Sequence, residues 1–153
     1  MEENPYPGAF IVLEGIDGTG KSMLAKMLFH ALQGSREHGG VYLTKEPTSK
    51  GPAGFRIRRT LRGDSKLSPL NLQRLFIKDR DWHLHYEVIK RLVPGGIVIC
   101  DRFFFSTVAY GSLSVSPEKL LDLKEERIGE AKEMIEEGKI ESALIALERA
   151  DEH

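Results

Sequence analysis

Short apolar runs alternate with longer amphipathic stretches along this chain. Residues Phe10–Glu14 (FIVLE) are apolar, rich in β-branched side chains and followed by glycine, the pattern of a buried strand. Lys21–Gln33 repeats Leu24, Met27, Leu28, Ala31 and Leu32 along one helical face, and Gly34, Gly39 and Gly40 end it. Val41–Lys45 (VYLTK) predicts a second strand, Pro47 to Pro52 a loop, and Gly54–Arg62 a short basic helix. Ser68 is placed to cap a helix with Pro69 at its first position, and this helix runs to about Val93, where Pro94-Gly95-Gly96 stops it. Ile97–Cys100 (IVIC) predicts a third strand, and a helix follows near Phe104. Ser116-Pro117-Glu118 opens a further helix, which Gly138 divides from a last one.

Strands that alternate with long helices and read as continuous apolar runs imply an α/β fold, a parallel sheet flanked by helices. The length of 153 residues suits one domain, and 41% apolar with 29% charged residues argues for a globule rather than disorder. No apolar run approaches the roughly 20 residues of a membrane helix. The start, MEENPYPGAF, has neither the charge nor the apolar core of a signal or transit peptide. One cysteine, Cys100, excludes an internal disulfide framework and reads as a small buried apolar residue. The expectation is a cytoplasmic protein with no membrane partner.

Charge sharpens this picture. Residues 117–153 carry 12 acidic and 6 basic side chains, which leaves 11 and 16 of the totals of 23 and 22 for residues 1–116. The basic part is where an anionic small molecule is expected. Nucleic acid is disfavoured, because no Lys/Arg block appears and the isoelectric point is near 6.5. The five histidines show no spacing supported by other metal ligands, and Trp82 reads as packing.

The strongest chemical signal is Gly15-Ile-Asp-Gly-Thr-Gly-Lys21-Ser22, a G-x-x-x-x-G-K-[ST] loop between a strand and a helix. Glycines let successive N–H groups point into one concavity, and the helix N-terminus adds positive potential there. Lys21 can reach β- and γ-phosphates, and the Ser22 hydroxyl can ligand Mg²⁺. Gly15, Gly18, Thr19, Gly20, Lys21 and Ser22 thus form a candidate nucleotide loop; the bland alternative is a glycine turn with an incidental lysine. Asp101, closing the third strand, can hold Mg²⁺ through water, and Arg102 beside it can clamp a phosphate; a helix cap followed by a solvated arginine is the competing reading. Phe76 and Arg80 share a helix face and could hold a flat base by stacking and donation, although plain core is the favoured reading of Phe76 taken alone. Arg56, Arg58, Arg59 and Arg62 cluster on the basic helix, where one or two could bind phosphate and the rest stay solvated.

Together these segments resemble thymidylate kinase, the P-loop family that phosphorylates dTMP with ATP, and archaeal-type members in particular. The matching stretches are FIVLEGIDGTGKS, the Glu-Pro-Thr of KEPTS, GFRIRRTLRG, SPLNLQRLFIKDRDWH and GIVICDRFFFSTVAYG, in family order over roughly residues 9 to 125. The resemblance implies a P-loop NTPase fold, ATP and dTMP as substrates, and Mg²⁺. It implies that Lys21 and Ser22 serve ATP and the metal, that Asp17 touches the acceptor's sugar and phosphate region, and that Arg58 and Arg102 grip the dTMP phosphate, so that Lys21, Asp17 and Arg102 form the catalytic set. Phe76 stacks on thymine and Arg80 bonds its carbonyl on this reading. Ser106 and Thr107 contact base or phosphate, Tyr110 packs on deoxyribose, and Glu46 orders the acceptor site. Other P-loop nucleoside or nucleotide kinases, and a relative that binds without turnover, are the alternatives.

There are departures. Met23 follows Ser22 where the family has Thr or a similar residue, Gly111 replaces a common Gln, and Gly18 stands where some members carry a loop arginine. After about residue 125 the family's Leu-Asp-Val strand, Arg-rich lid and adenine-binding strand give way to ERIGEAKEMIEEGKIESALIALERADEH. Leu121, Ile128 and Ile135 line one helix of this segment and Ile140, Leu144 and Leu147 the next. The expectation is a kinase core over residues 1–115, truncated or modified at the C-terminus, with residues 116–153 as a helical segment of the same domain. If strands beyond the first are missing, Phe10–Glu14 becomes an edge that the C-terminal hairpin, a homodimer or another partner covers. Arg149 or a partner chain is then the remaining source of a transition-state arginine.

Overall fold

The computed structural model describes residues 5–34, 39–116 and 118–119. In chain order these form β1 (Ala9–Leu13), α1 (Lys21–Leu32), β2 (Val41–Lys45), α2 (Pro52–Leu61), α3 (Pro69–His83), a π-helical turn (Leu84–Val88), α4 (Ile89–Leu92), β3 (Ile97–Asp101) and α5 (Phe104–Gly111). The chain divides into two compact units, one of Met1–Glu46 with Tyr86–Ser106 and one of Pro47–His85 with Thr107–His153. No helix among the described residues is long and apolar enough to cross a membrane.

The first unit is built on a parallel sheet of order β1-β3-β2. Ala9 and Val41 both pair with Ile97, and Leu13 and Lys45 both pair with Asp101. The three strands therefore end level, and the segments starting at Glu14, Glu46 and Arg102 leave the sheet at one end. In open parallel sheets this carboxyl end is where ligands bind. β3 is buried along its whole length, because it has a strand on each side. β1 is half-buried after its exposed first residue. The sequence predicts a buried strand there, but among the described residues β1 lies at the sheet edge, as expected if further strands are missing. The C-terminal hairpin invoked to cover it lies outside the described residues.

Helix α1 packs on this sheet through Ala25, Leu28, Phe29 and Leu32, against Ile11, Leu13, Val41, Leu43, Ile97 and Ile99. The predicted face was rotated by about one residue: Leu24 and Met27 are exposed, and the small Ala25 is buried instead. Apolar side chains nearly encircle α1, so periodicity alone does not choose the side that meets the sheet.

In the second unit α2 packs on α3. The start of α3 follows the sequence reading, with the Ser68 hydroxyl accepting from Asn71 N at 3.3 Å and Pro69 at the first helical position. Instead of one unbroken helix to Val93, the π-helical turn interrupts the run, and the division between the units falls inside that turn. Helix α2 begins at Pro52 rather than Gly54, since proline suits a first helical position. Glu118 and Lys119 are helical, with Lys119 N donating to Ser116 Oγ at 3.5 Å, as the Ser-Pro-Glu start implies.

Candidate functional site

In the first unit, residues Gly15–Ser22 join β1 to α1. Gly18 and Gly20 both have φ of 82°, a left-handed conformation that side chains resist, and Gly20 is the N-cap of α1. Helical bonding starts only with Met23 N and Leu24 N donating to Gly20 O, so the amides ahead of them precede the α1 ladder. The Lys21 ammonium donates to Ile16 O and, at 3.3 Å, to Thr19 Oγ1, while Thr19 Oγ1 donates to Ile16 O at 2.9 Å. The lysine thus bridges its own loop, at a position an arriving phosphate oxygen can take over.

Beyond the loop, Ser22 Oγ donates to Asp101 Oδ2. The other carboxylate oxygen, Asp101 Oδ1, is buried without a hydrogen-bond partner. A hydroxyl and a carboxylate with one orphaned oxygen form a hard oxygen donor set, which fits Mg²⁺. Among the described residues no group of three or more His, Cys, Asp or Glu forms a further metal cluster.

Arg102 has φ of 74°, alone among the described non-glycine residues in the left-handed region. That conformation costs about 1–2 kcal/mol and persists where surrounding contacts over-determine it. Here Arg102 N donates to Leu13 O at 2.9 Å, and Cys100 Sγ donates to Arg102 O at 3.0 Å. The twisted backbone sends the guanidinium back over the loop, where it pairs with Asp17 and donates to Gly15 O at 3.2 Å and Ser106 Oγ at 3.1 Å. Glu14, which the sequence reading missed, completes the cluster. Its carboxylate accepts from Phe103 N at 2.9 Å, from Ser106 N at 3.2 Å and from Ser106 Oγ. Glu46 is buried, and its N–H donates to Asp101 O at 3.1 Å. The structure therefore brings Asp17, Lys21, Ser22, Asp101, Arg102 and Ser106 to the carboxyl end of one sheet.

The second unit holds the other candidates. Asp79, 1% exposed, accepts from Thr48 N and Thr48 Oγ1 at 2.5 Å each. Arg58 Nε donates to Thr48 O at 2.9 Å, and its Nη2 donates to Pro47 O. Expected as a phosphate grip, Arg58 is engaged here in holding the Pro47-Thr48 backbone. Gly54 makes this approach possible, because a Cβ there would lie 2.5 Å from Thr48 O. Arg80 is 4% exposed and donates to Thr107 Oγ1 at 2.5 Å. Phe76 is half-buried on the same helix, and Tyr110 is exposed. Asp79 was also missed: a carboxylate inside a charged helix gives no local sign of a partner 31 residues away.

A family model described as thymidylate kinase matches residues 13–135. The thymidylate kinase of Desulfotalea psychrophila is 38% identical over 117 residues, which cover 75% of this chain and 56% of that protein. The probable thymidylate kinase of Pyrococcus horikoshii is 42% identical over 108 residues, covering 67% of this chain and 51% of that protein. Among solved structures, the thymidylate kinase from Ehrlichia chaffeensis superposes with a TM-score of 0.66 at 31% identity, over 76% of this chain and 67% of that one. The Candida albicans thymidylate kinase gives 0.59 at 27%, over 76% and 54%. The chain spans about half the length of the curated relatives it matches.

Proposed function

The chain belongs to the thymidylate kinase family, and on that premise we propose that it binds ATP through the 15–22 loop and transfers the γ-phosphoryl group to dTMP, giving dTDP and ADP. The observation that carries this reading is the convergence of Lys21, Arg102, Asp17 and Asp101 at the carboxyl end of the sheet. Phosphoryl transfer asks a protein for positioning and for stabilisation of charge on the transferring group. Lys21 exchanges its loop carbonyl for β- and γ-phosphate oxygens. The left-handed glycines let loop amides follow those oxygens. Ser22 and Asp101 are the residues that hold Mg²⁺, which when bound offsets phosphate charge. Arg102, already aimed at Asp17, takes the acceptor phosphate, a stronger partner for a guanidinium than a solvated carboxylate. Asp17 then turns to the acceptor's sugar, and Glu14 keeps Ser106 and the start of α5 in register with Arg102.

In the second unit Phe76 stacks on the acceptor base and Arg80 donates to its carbonyl. Thr107 holds the guanidinium. Arg58 fixes the Glu-Pro-Thr segment, with any acceptor phosphate contact secondary to that. Tyr110 meets the deoxyribose. Release of ADP from ATP and Mg²⁺, measured with dTMP, dUMP, UMP, CMP and thymidine in turn, tests the proposal. Turnover fastest with dTMP is expected; nucleotide binding without turnover on any acceptor would contradict the kinase activity.

A further inference from the structure

We infer that Ser106 is a positioning residue for Arg102: its hydroxyl anchors one guanidinium nitrogen, so that the other exchanges Asp17 for the acceptor phosphate. This deepens the reading of Arg102 as the acceptor-phosphate residue and rests on it. The resemblance to thymidylate kinase implies that Ser106 contacts base or phosphate directly. Hydrogen-bond polarity points elsewhere. A serine hydroxyl has one hydrogen and two lone pairs. Ser106 Oγ donates its hydrogen to Glu14 Oε2 and accepts from Arg102 Nη1 at 3.1 Å. Glu14 is held independently of that hydroxyl, because its Oε1 accepts from Phe103 N at 2.9 Å and from Ser106 N at 3.2 Å. The oxygens of a phosphate dianion, like those of a carboxylate, only accept. With its hydrogen committed to Glu14, Ser106 Oγ has only lone pairs left to offer, which suit a guanidinium and not a phosphate.

The two terminal nitrogens of Arg102 are held differently. Nη1 has two hydrogens and two protein acceptors, Ser106 Oγ and, at 3.2 Å, Gly15 O. Nη2 pairs with Asp17, whose side chain is 86% exposed against 18% for Arg102. A carboxylate so open to water is a weakly held partner, so Nη2 is the nitrogen that changes hands. The donor chain runs one way, from Arg102 through the Ser106 hydroxyl to the Glu14 carboxylate, and each bond polarises the next. Glu14 therefore reaches Arg102 through Ser106. Removing the hydroxyl breaks this chain at its middle while the two backbone donors keep Glu14 Oε1. The guanidinium then gains freedom to swing, which an arriving phosphate must remove again.

Dissociation constants for dTMP and for thymidine, measured calorimetrically on the full chain and on Ser106→Ala, Arg102→Ala and the double variant, test this. For Ser106→Ala the expectation is dTMP bound about tenfold more weakly, with thymidine affinity unchanged, because only the phosphate meets Arg102. In the Arg102→Ala background the same substitution should cost dTMP affinity nothing further, the sign of two residues acting as one unit. Unchanged dTMP affinity in Ser106→Ala overturns the inference and leaves Arg102 at the acceptor phosphate. So does a loss shared by thymidine, or an equal loss with and without Arg102, as a direct substrate contact would give. Failure of the unaltered chain to bind dTMP, or full dTMP affinity in Arg102→Ala, overturns both the inference and the reading beneath it.

Discussion

The two units put charge to different uses. In the first, Lys21 donates within its own loop and Arg102 pairs with Asp17, whose side chain is 86% exposed, and the loop glycines are open. These pairings are provisional, made by groups that can exchange one another for phosphate. In the second, Asp79, Arg80, Gln73 and Thr48 are all at least nine-tenths buried. There the polar contacts fasten backbone, and a missing partner is expensive. Substitutions in the phosphate-loop cluster of the first unit should therefore cost chemistry with little stability, and those in the Thr48–Asp79 cluster of the second should cost stability before chemistry.

The largest expected effect sharpens the first half of that contrast. Lys21→Ala should lower kcat/KM by about 10²–10³, the loss typical of one preorganised donor, with the denaturation midpoint nearly unchanged. Coupled ADP release together with urea unfolding reads both quantities. Arg102→Ala should cost about 10² in kcat/KM through the acceptor while ATP affinity stays constant, since Arg102 is assigned to the second substrate. An equal loss of ATP affinity would move Arg102 to the donor side. In the second unit, Asp79→Ala leaves the buried Thr48 N–H and hydroxyl without their acceptors and should destabilise by about 1–3 kcal/mol in urea unfolding. Gly54→Ala should cost about as much by overpacking against Thr48. Smallest of all, Met27→Lys on the exposed side of α1 should change stability by no more than about 0.5 kcal/mol, whereas the same change at Ala25 should be severe.

The same contrast explains what the sequence discloses. The loop is legible because its chemistry is contiguous: eight successive residues supply glycines, lysine and hydroxyl, with strand and helix on either side. The three strands are legible because each is a run of apolar residues, and α3 because Ser68 and Pro69 mark its start. Arg102 was identifiable from its place after β3, but its left-handed backbone was not, because that depends on Leu13 and Cys100 closing around it. Glu14 was read as the end of a strand, and its role as acceptor for Phe103 and Ser106 needs the parallel pairing of β1 with β3. Asp79 looked like a polar position of a charged helix, and only burial on both sides of α3 makes it consequential. The face of α1 was misjudged for the opposite reason, an excess of apolar candidates.

Amide hydrogen exchange of the intact chain, followed with inorganic tripolyphosphate plus Mg²⁺ and separately with thymidine, tests the division of labour most directly. The account predicts that tripolyphosphate slows exchange at residues 15–22 and leaves 73–83 unchanged, and that thymidine does the reverse. Unchanged exchange at 15–22 under tripolyphosphate, or an identical response to both ligands, would contradict it.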